Sequence, residues 1–322
     1  MTSADRVPSS EPTTGEVAPI LDLAPVGARS SLGLIVRGMR PRQWIKNLLV
    51  FMAPAAAGVL GDWHTAVRVT GAFLLFCVVA SGTYLVNDVI DAESDRHHPV
   101  KRRRPVASGA LRPGLALGTG AGLIAVAVAG ALFIGPWGFA VVVATYAGLS
   151  IAYSIRLKRE PVMELAVVAS CFVLRAVAGG VVAQVHLSNW FLVFTSFAAL
   201  FLVTGKRCAE HARLGLDRGV HRLVLDQYTE SFLKSTLTIS ASVTVASYCL
   251  WAFERTGLLA HAGHHVVWIE LTVVPLVLAV LHIFRVLDAG HGGEPEQLAL
   301  HDHMLQGYGV LWLVLMSLGL YG

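Results

Sequence analysis

The residues whose types and spacing could do chemistry gather first at Asn87-Asp88-Val-Ile-Asp91-Ala-Glu-Ser-Asp95, at the end of a long apolar run. On an α-helix, positions four apart differ by about 40°. Asn87, Asp91 and Asp95 therefore form one polar stripe, with Asp88 about 100° from Asn87. Carboxylates at this spacing repel one another and call for a cation. Oxygen donors of this kind suit Mg²⁺, which keeps several waters and bridges one or two carboxylates to substrate phosphates. Directly downstream comes Arg96-His-His-Pro-Val-Lys101-Arg102-Arg103-Arg104-Pro105, a dense set of phosphate-binding donors. Together they read as a metal-diphosphate site. Asp88, Asp91 and Asp95 are its catalytic candidates, Asn87, Asp91 and Asp95 its metal ligands, and Lys101, Arg102 and Arg104 its partners for diphosphate oxygens. A solvated helix end followed by a basic loop would explain the arginines, but not three acids and an Asn in one pattern.

Further candidates lie elsewhere along the chain. Arg40, Arg42 and Lys46 surround Trp44 where the first apolar run opens, and either bind phosphate or anchor that run at the headgroups. Glu164 and Arg175 are eleven residues apart, which returns nearly to the same helix face about 16 Å along the axis. Ionisable groups at membrane depth default to a functional reading. Arg175 then either holds an anion or bonds backbone carbonyls. Lys206, Arg207 and Glu210 form a basic stretch with one carboxylate, which either binds another phosphate or is a helix ion pair with retained positive charge. Glu294 and Glu296 face a site or solvent. His301 and His303 lie about 200° apart on a helix and are not read as a metal pair. Cys77, Cys171, Cys208 and Cys249 are widely separated in or beside apolar stretches, with no disulfide framework or zinc spacing.

Composition dictates what must position these groups. The chain has 322 residues, 55% hydrophobic and 14% charged, with mean hydropathy +0.62. Soluble domains carry about 25% charged residues, so a soluble globular enzyme is excluded, as are coiled coil, collagen and intrinsic disorder. The expected class is an all-α polytopic membrane protein. Apolar runs near residues 43–60, 66–86, 112–134, 137–155, 162–184, 189–207, 231–253, 267–286 and 304–321 predict nine spans, since each needs about 20 apolar residues. Residues 1–36, rich in Ser, Pro, Thr and acids, read as a disordered cytosolic tail rather than a signal peptide. Residues 37–322 read as one helical membrane domain. Lys and Arg concentrate in the tail and after every second span, while the opposite loops hold only Arg68 and Arg255. Positive charge is retained inside, so the N-terminus and the charged loops are expected in the cytosol.

The motif Asn87, Asp88, Asp91, Asp95 after the second of nine spans resembles the NDxxDxxxD hallmark of the UbiA-type intramembrane prenyltransferase superfamily, over roughly residues 37–322. That resemblance implies a nine-helix bundle in which the motif holds a donor diphosphate through Mg²⁺. Tyr153 and Lys158 resemble a tyrosine-plus-lysine feature of the superfamily, and otherwise serve as interfacial anchors. Members that prenylate aromatic rings carry a second aspartate-rich motif after span six. Here that place holds Thr204-Gly-Lys206-Arg207-Cys-Ala-Glu210.

The basic span-six end, Arg40-Pro-Arg-Gln-Trp-Ile-Lys46-Asn, Gly293-Glu-Pro-Glu296 and the basic form of the first motif resemble the decaprenyl-phosphate phosphoribosyltransferase branch. The resemblance implies a Mg²⁺-dependent transferase of the plasma membrane with its active site facing the cytosol. It would join phosphoribosyl pyrophosphate to a polyprenyl (decaprenyl) monophosphate, releasing pyrophosphate, a membrane step toward the arabinose donor of actinobacterial cell walls. Arg40, Lys46, Tyr153, Lys158, Glu164, Arg175, Lys206, Arg207 and Glu210 would then contact substrate, with Lys206 and Arg207 at the 5-phosphate or the lipid phosphate. No nucleic-acid partner is expected. An aromatic prenyltransferase of quinone biosynthesis would share the first motif but not the basic span six. A transporter would share the spans, yet transporters place their sites near the bilayer midplane.

The charge count makes a topological prediction. In sealed cells, a membrane-impermeant thiol reagent should label Gly61→Cys and spare Ser108→Cys; labelling of the latter would reverse the orientation.

Overall fold

The structure, a computed structural model, describes residues 31–214, 227–260, 267–288 and 301–321. Among these residues it contains helices and turns and no strand. Most of the expected tail, Glu294 and Glu296 lie outside the described residues. Ser31–Met39, assigned in part to the tail, instead forms helix α1. Its Leu34, Ile35 and Met39 pack beside Leu85, Val106 and Leu111.

Eight helices among the described residues are long and apolar enough to cross a membrane. In chain order they are α3 (Trp63–Ile90), α5 (Pro113–Ile134), α6 (Trp137–Ile155), α7 (Met163–Ala183), α8 (Asn189–Leu214), α9 (Glu230–Ala260), a stretch of α10 (Val267–Leu271) and α11 (Val273–Asp288), and α12 (His303–Tyr321). The short α4 (Ala92–His97) follows α3. Helix starts carry local signals. The Asp62 carboxylate accepts the Thr65 N–H at 2.8 Å to cap α3, a bond that holds its pKa below the ordinary value. Pro113 opens α5, where its missing N–H costs nothing. Asp302 accepts the Leu305 N–H at 3.0 Å to cap α12.

The first expected span departs from a regular helix. It is a 3₁₀ helix over Pro41–Phe51 followed by the short α2, Met52–Ala57. Runs of 3₁₀ beyond three or four residues are uncommon, so tertiary contacts must hold this one. A ladder of side chains ties it to α3: Arg40 to Asp88, Trp44 Nε1 to Ser81 Oγ at 3.1 Å, and Asn47 Nδ2 to Cys77 Sγ at 3.3 Å. On its other side α7 comes so close that a Cβ on Gly179 would lie 1.7 Å from the Val50 carbonyl oxygen.

Small residues set the remaining contacts. α3 and α5 meet where a Cβ on Gly82 would lie 2.7 Å from the Gly120 carbonyl oxygen, and one on Gly120 2.9 Å from that of Gly82. Lipid supplies no hydrophobic force between helices, and close backbone approach takes its place. A buried group of Phe76, Phe139, Tyr146 and Val143 fills the centre between α3 and α6.

Gly179→Ala should therefore displace the first span. We expect lower thermal stability in detergent, with a loss of at least about 1–3 kcal/mol from overpacking. A variant with unchanged melting would show that α7 and the 3₁₀ segment are not in backbone contact.

Candidate active site

α3 carries Asn87 and Asp88 in its last turn and gives way at Asp91 (φ −89°, ψ 0°) to α4. The helical path survives the junction, because the Asp91 N–H donates to the Asn87 carbonyl at 2.9 Å and the Asp95 N–H to the Asp91 carbonyl at 2.8 Å. The side chains, however, do not form the single stripe expected of Asn87, Asp91 and Asp95. Asp88 and Asp95, seven positions and hence about 20° apart, are both buried and share Arg104. Its Nη1 lies 2.6 Å from Asp95 Oδ2 and 3.3 Å from Asp88 Oδ1. Asp88 also pairs with Arg40, whose guanidinium lies 5.1 Å from the centre of the Tyr84 ring. On the other side, Asp91 pairs with Lys158 and Asn87 Oδ1 accepts the Ser154 hydroxyl at 2.8 Å. The physical reason for the split is that Arg104 approaches from the loop after α4, whereas the end of α6 approaches from the opposite flank.

Three carboxylates thus meet three cations from three separate connections. Arg40 reaches its place with φ +55°, a left-handed conformation uncommon outside glycine. Among the described residues no three His, Cys, Asp or Glu side chains converge as a closed metal cage. The donor set nonetheless fits a hard divalent ion. It consists of carboxylate and amide oxygens on successive turns, with Asp91 the most exposed of the three acids at 20% of its side chain. One or two carboxylates with substrate phosphates is how Mg²⁺ is ordinarily held. Lys101 and Arg102 stand on the 3₁₀ turn Lys101–Arg103, half-buried and exposed respectively. Lys46 is half-buried on the first span.

A second ionic cluster joins α7 to α8. The Arg207 guanidinium donates to Glu164 through Nε at 2.7 Å and Nη2 at 2.9 Å, and through Nη1 to Glu210 at 2.7 Å. Arg207 and Glu164 are buried. The expectation that Arg207 offers its charge to a phosphate thus meets a guanidinium already held by two carboxylates. Lys206 stands half-buried beside it. Tyr153 lies within electrostatic reach of Tyr228. The Tyr228 oxygen accepts the N–H of Val162, a residue at φ +64° at the start of α7. Burial raises the Tyr228 pKa above its ordinary value.

Glu164 and Arg175 do not work as a pair. Arg175 is buried in a nest of its own, donating to Asn47 Oδ1 at 2.8 Å, to the Tyr146 hydroxyl at 2.9 Å and to the Cys171 carbonyl at 2.5 Å. Phe172 and Tyr146 cover its charge with their ring faces. Sequence reasoning missed Ser154, Tyr84, Asn47, Tyr146 and Tyr228. Only Tyr84, four residues before Asp88, carried a spacing signal; the others are single polar residues brought in by tertiary packing.

Comparison with known proteins bears on the family and the fold. Residues 48–306 match the model of the UbiA prenyltransferase family. The chain is 40% identical over 294 residues to a decaprenyl-phosphate phosphoribosyltransferase of Corynebacterium glutamicum, covering 89% of this chain and 86% of the relative. It is also 40% identical over 297 residues to one of Mycolicibacterium smegmatis, covering 89% and 92%. In fold it is similar to a UbiA homolog from Archaeoglobus fulgidus solved with GPP and Mg²⁺, at TM-score 0.65 and 18% identity over 89% of this chain and 98% of that one.

The buried fork makes a stability prediction. Arg207→Met leaves Glu164 buried without a counter-charge, which costs about 3–5 kcal/mol, whereas the double variant with Glu164→Gln should recover much of that loss. Equal melting temperatures for wild type and the single variant would remove the fork from the stabilising contacts.

Proposed function

The chain belongs to the UbiA prenyltransferase family, and within it we propose a phosphoribosyltransferase that moves the 5-phosphoribosyl group of phosphoribosyl pyrophosphate onto a polyprenyl monophosphate such as decaprenyl phosphate. Pyrophosphate is released. The reading places the enzyme in the plasma membrane, with the acidic site and basic loops in the cytosol, feeding cell-wall arabinan synthesis. The observation that carries it is the 40% identity to decaprenyl-phosphate phosphoribosyltransferases over 89% of the chain. The clustering of Arg40, Arg104 and Lys158 around the α3 acids supports it.

The chemistry asks mainly for positioning and charge stabilisation. Asn87, Asp91 and Asp95 are the residues that would hold Mg²⁺, which would supply positive charge for the departing pyrophosphate. Lys158 and Arg104, now paired with Asp91 and Asp95, stand where they can turn part of their charge toward diphosphate oxygens, with Arg40 beside them. Lys101 and Arg102 add charge from the loop. Lys206 is the candidate for the 5-phosphate or the lipid phosphate. The bond from ribose C1 to pyrophosphate breaks as an oxygen of the lipid phosphate forms the new bond from the opposite face, inverting C1. The lipid phosphate is already an oxyanion at neutral pH, so no general base is required. The apolar bundle receives the polyprenyl chain sideways, while the ribosyl donor arrives through the charged loops.

Three measurements test this. Purified protein given labelled phosphoribosyl pyrophosphate and polyprenyl phosphate should form a ribosylated lipid, and none of the product of a prenyl diphosphate with an aromatic acid; the reverse outcome would sink the reading. Asp91→Asn should abolish turnover without loss of folding. Lys206→Gln should raise the apparent KM of one phosphorylated substrate about tenfold or more, the worth of a charge-assisted bond. Unchanged curves for both substrates would withdraw Lys206 from the site.

A further inference from the structure

At the end of the bundle opposite the acidic site, α2, the connection between α7 and α8, and the last turns of α9 enclose a cavity of about 300 Å³. The chain path fixes its level. α3 starts at Trp63 on this end and reaches the acidic site 28 residues later, about 42 Å away. α7 begins near Lys158 and ends here at Ala183. The same end carries four of the seven tryptophans, Trp63, Trp137, Trp190 and Trp268, each within the first two residues of a helix and between 37% and 78% exposed. Exposed tryptophans arranged in this way mark the membrane–water interface. The cavity therefore opens at the level of phospholipid headgroups.

Its lining is chemically divided. Phe191 and Trp251 are buried apolar walls, while His186, Ser188, Glu254 and Arg255 bring polar groups. Arg255 donates from Nη2 to the Ala57 carbonyl at 2.9 Å, at the C-terminus of α2, but its Nε is buried with no acceptor. The hydroxyl of Thr256 beside it is also buried and unpartnered. These are two of the three such side-chain atoms among the described residues, and Arg255 is on the cavity lining. Buried polar groups without partners are rare enough to need an explanation. A guanidinium lining a cavity at headgroup depth is a phosphate donor by chemistry. The Ser188 oxygen accepts the Phe191 N–H at 3.2 Å and leaves its own proton to give. Glu254, on the same cavity, makes no ion pair with Arg255 or with any other described residue.

A cation and an anion lining one pocket without pairing, above an apolar wall at the interface, form the complement of a zwitterion. We infer that this cavity binds the headgroup of a phospholipid carrying a phosphate and a primary ammonium, the phosphatidylethanolamine class. The phosphate sits at Arg255 and Ser188, the ammonium at Glu254, and the glycerol end against Phe191 and Trp251. A purely anionic headgroup leaves Glu254 without a partner. A quaternary choline has no N–H to give it. The inference is independent of the transfer reaction at the other end of the bundle.

The test is native mass spectrometry of the delipidated full-length protein, titrated separately with phosphatidylethanolamine, phosphatidylcholine and phosphatidylglycerol. Wild type should retain one phosphatidylethanolamine molecule at concentrations where the other two adducts are about tenfold scarcer. Arg255→Gln should lower that adduct about tenfold, with Arg255→Lys between the two, and Glu254→Gln should erase the preference over phosphatidylcholine. Turnover of each variant, unchanged from wild type, reports an intact fold. Equal retention of all three lipids, a preference for phosphatidylglycerol, or an unchanged adduct in the Arg255 variants overturns the proposal. If Arg255→Gln does not fold, Glu254→Gln decides alone: a retained ethanolamine preference overturns it.

Discussion

Three carboxylates stand at the end of a helix that otherwise lies among apolar neighbours, and their mutual repulsion must be answered within a few ångströms. Asp88 and Asp95 are almost wholly buried, where an unpaired charge costs several kcal/mol. The answer comes from three segments far apart in sequence: Arg40 before the first span, Arg104 after α4, and Lys158 after α6. Meeting that electrostatic demand draws the first span onto α3, folds the basic loop back over the helix end and brings the end of α6 alongside. The groups that hold the fold together are therefore those that would meet an anionic substrate. On the proposed reading, binding would exchange one set of charge partners for another rather than expose bare charge.

The same rule orders the interior in two further ways. Glu164 is matched by the fork of Arg207, whose planar geometry suits bidentate pairing, and Glu210 closes the cluster from one helical turn away. Arg175 has no carboxylate. Its charge is spread over an amide oxygen, a phenol, a backbone carbonyl and two ring faces. Because Asn47 in turn bonds Cys77, this nest links α7, the 3₁₀ segment and α3. It holds in place a long 3₁₀ stretch that local propensity would not sustain, with Arg40 at its head.

Packing between helices follows the logic of a lipid solvent. Side chains facing outward gain nothing by turning in, so contacts tighten where glycine lets backbones approach, at Gly82 with Gly120 and at Gly179 with Val50. Polar groups then divide by depth. The charged clusters lie at the end of the bundle where α3 finishes, and the tryptophan-ringed end carries the cavity of Glu254 and Arg255.

Composition by itself determined that the chain is a helical membrane protein, because +0.62 mean hydropathy with 14% charge cannot cover a soluble surface. Spacing by itself put the acids on successive turns at the end of one apolar helix, since helical periodicity is local, but not on the sides they take there. It also placed eight of the nine expected spans where long apolar helices occur. The first span was legible as apolar but not as 3₁₀, because its ladder to α3 and its contact with Gly179 are long-range. Which acid pairs with which cation was also out of reach. Arg104 sits nine residues from Asp95, but Lys158 and Asp91 are sixty-seven apart, and no local rule relates them. The role of Arg207 reversed for the same reason. In sequence it is a free cation beside Lys206; in the fold it is the counter-charge of Glu164, forty-three positions away. Periodicity decides which face a side chain occupies, and only the packing of distant helices decides what stands opposite it.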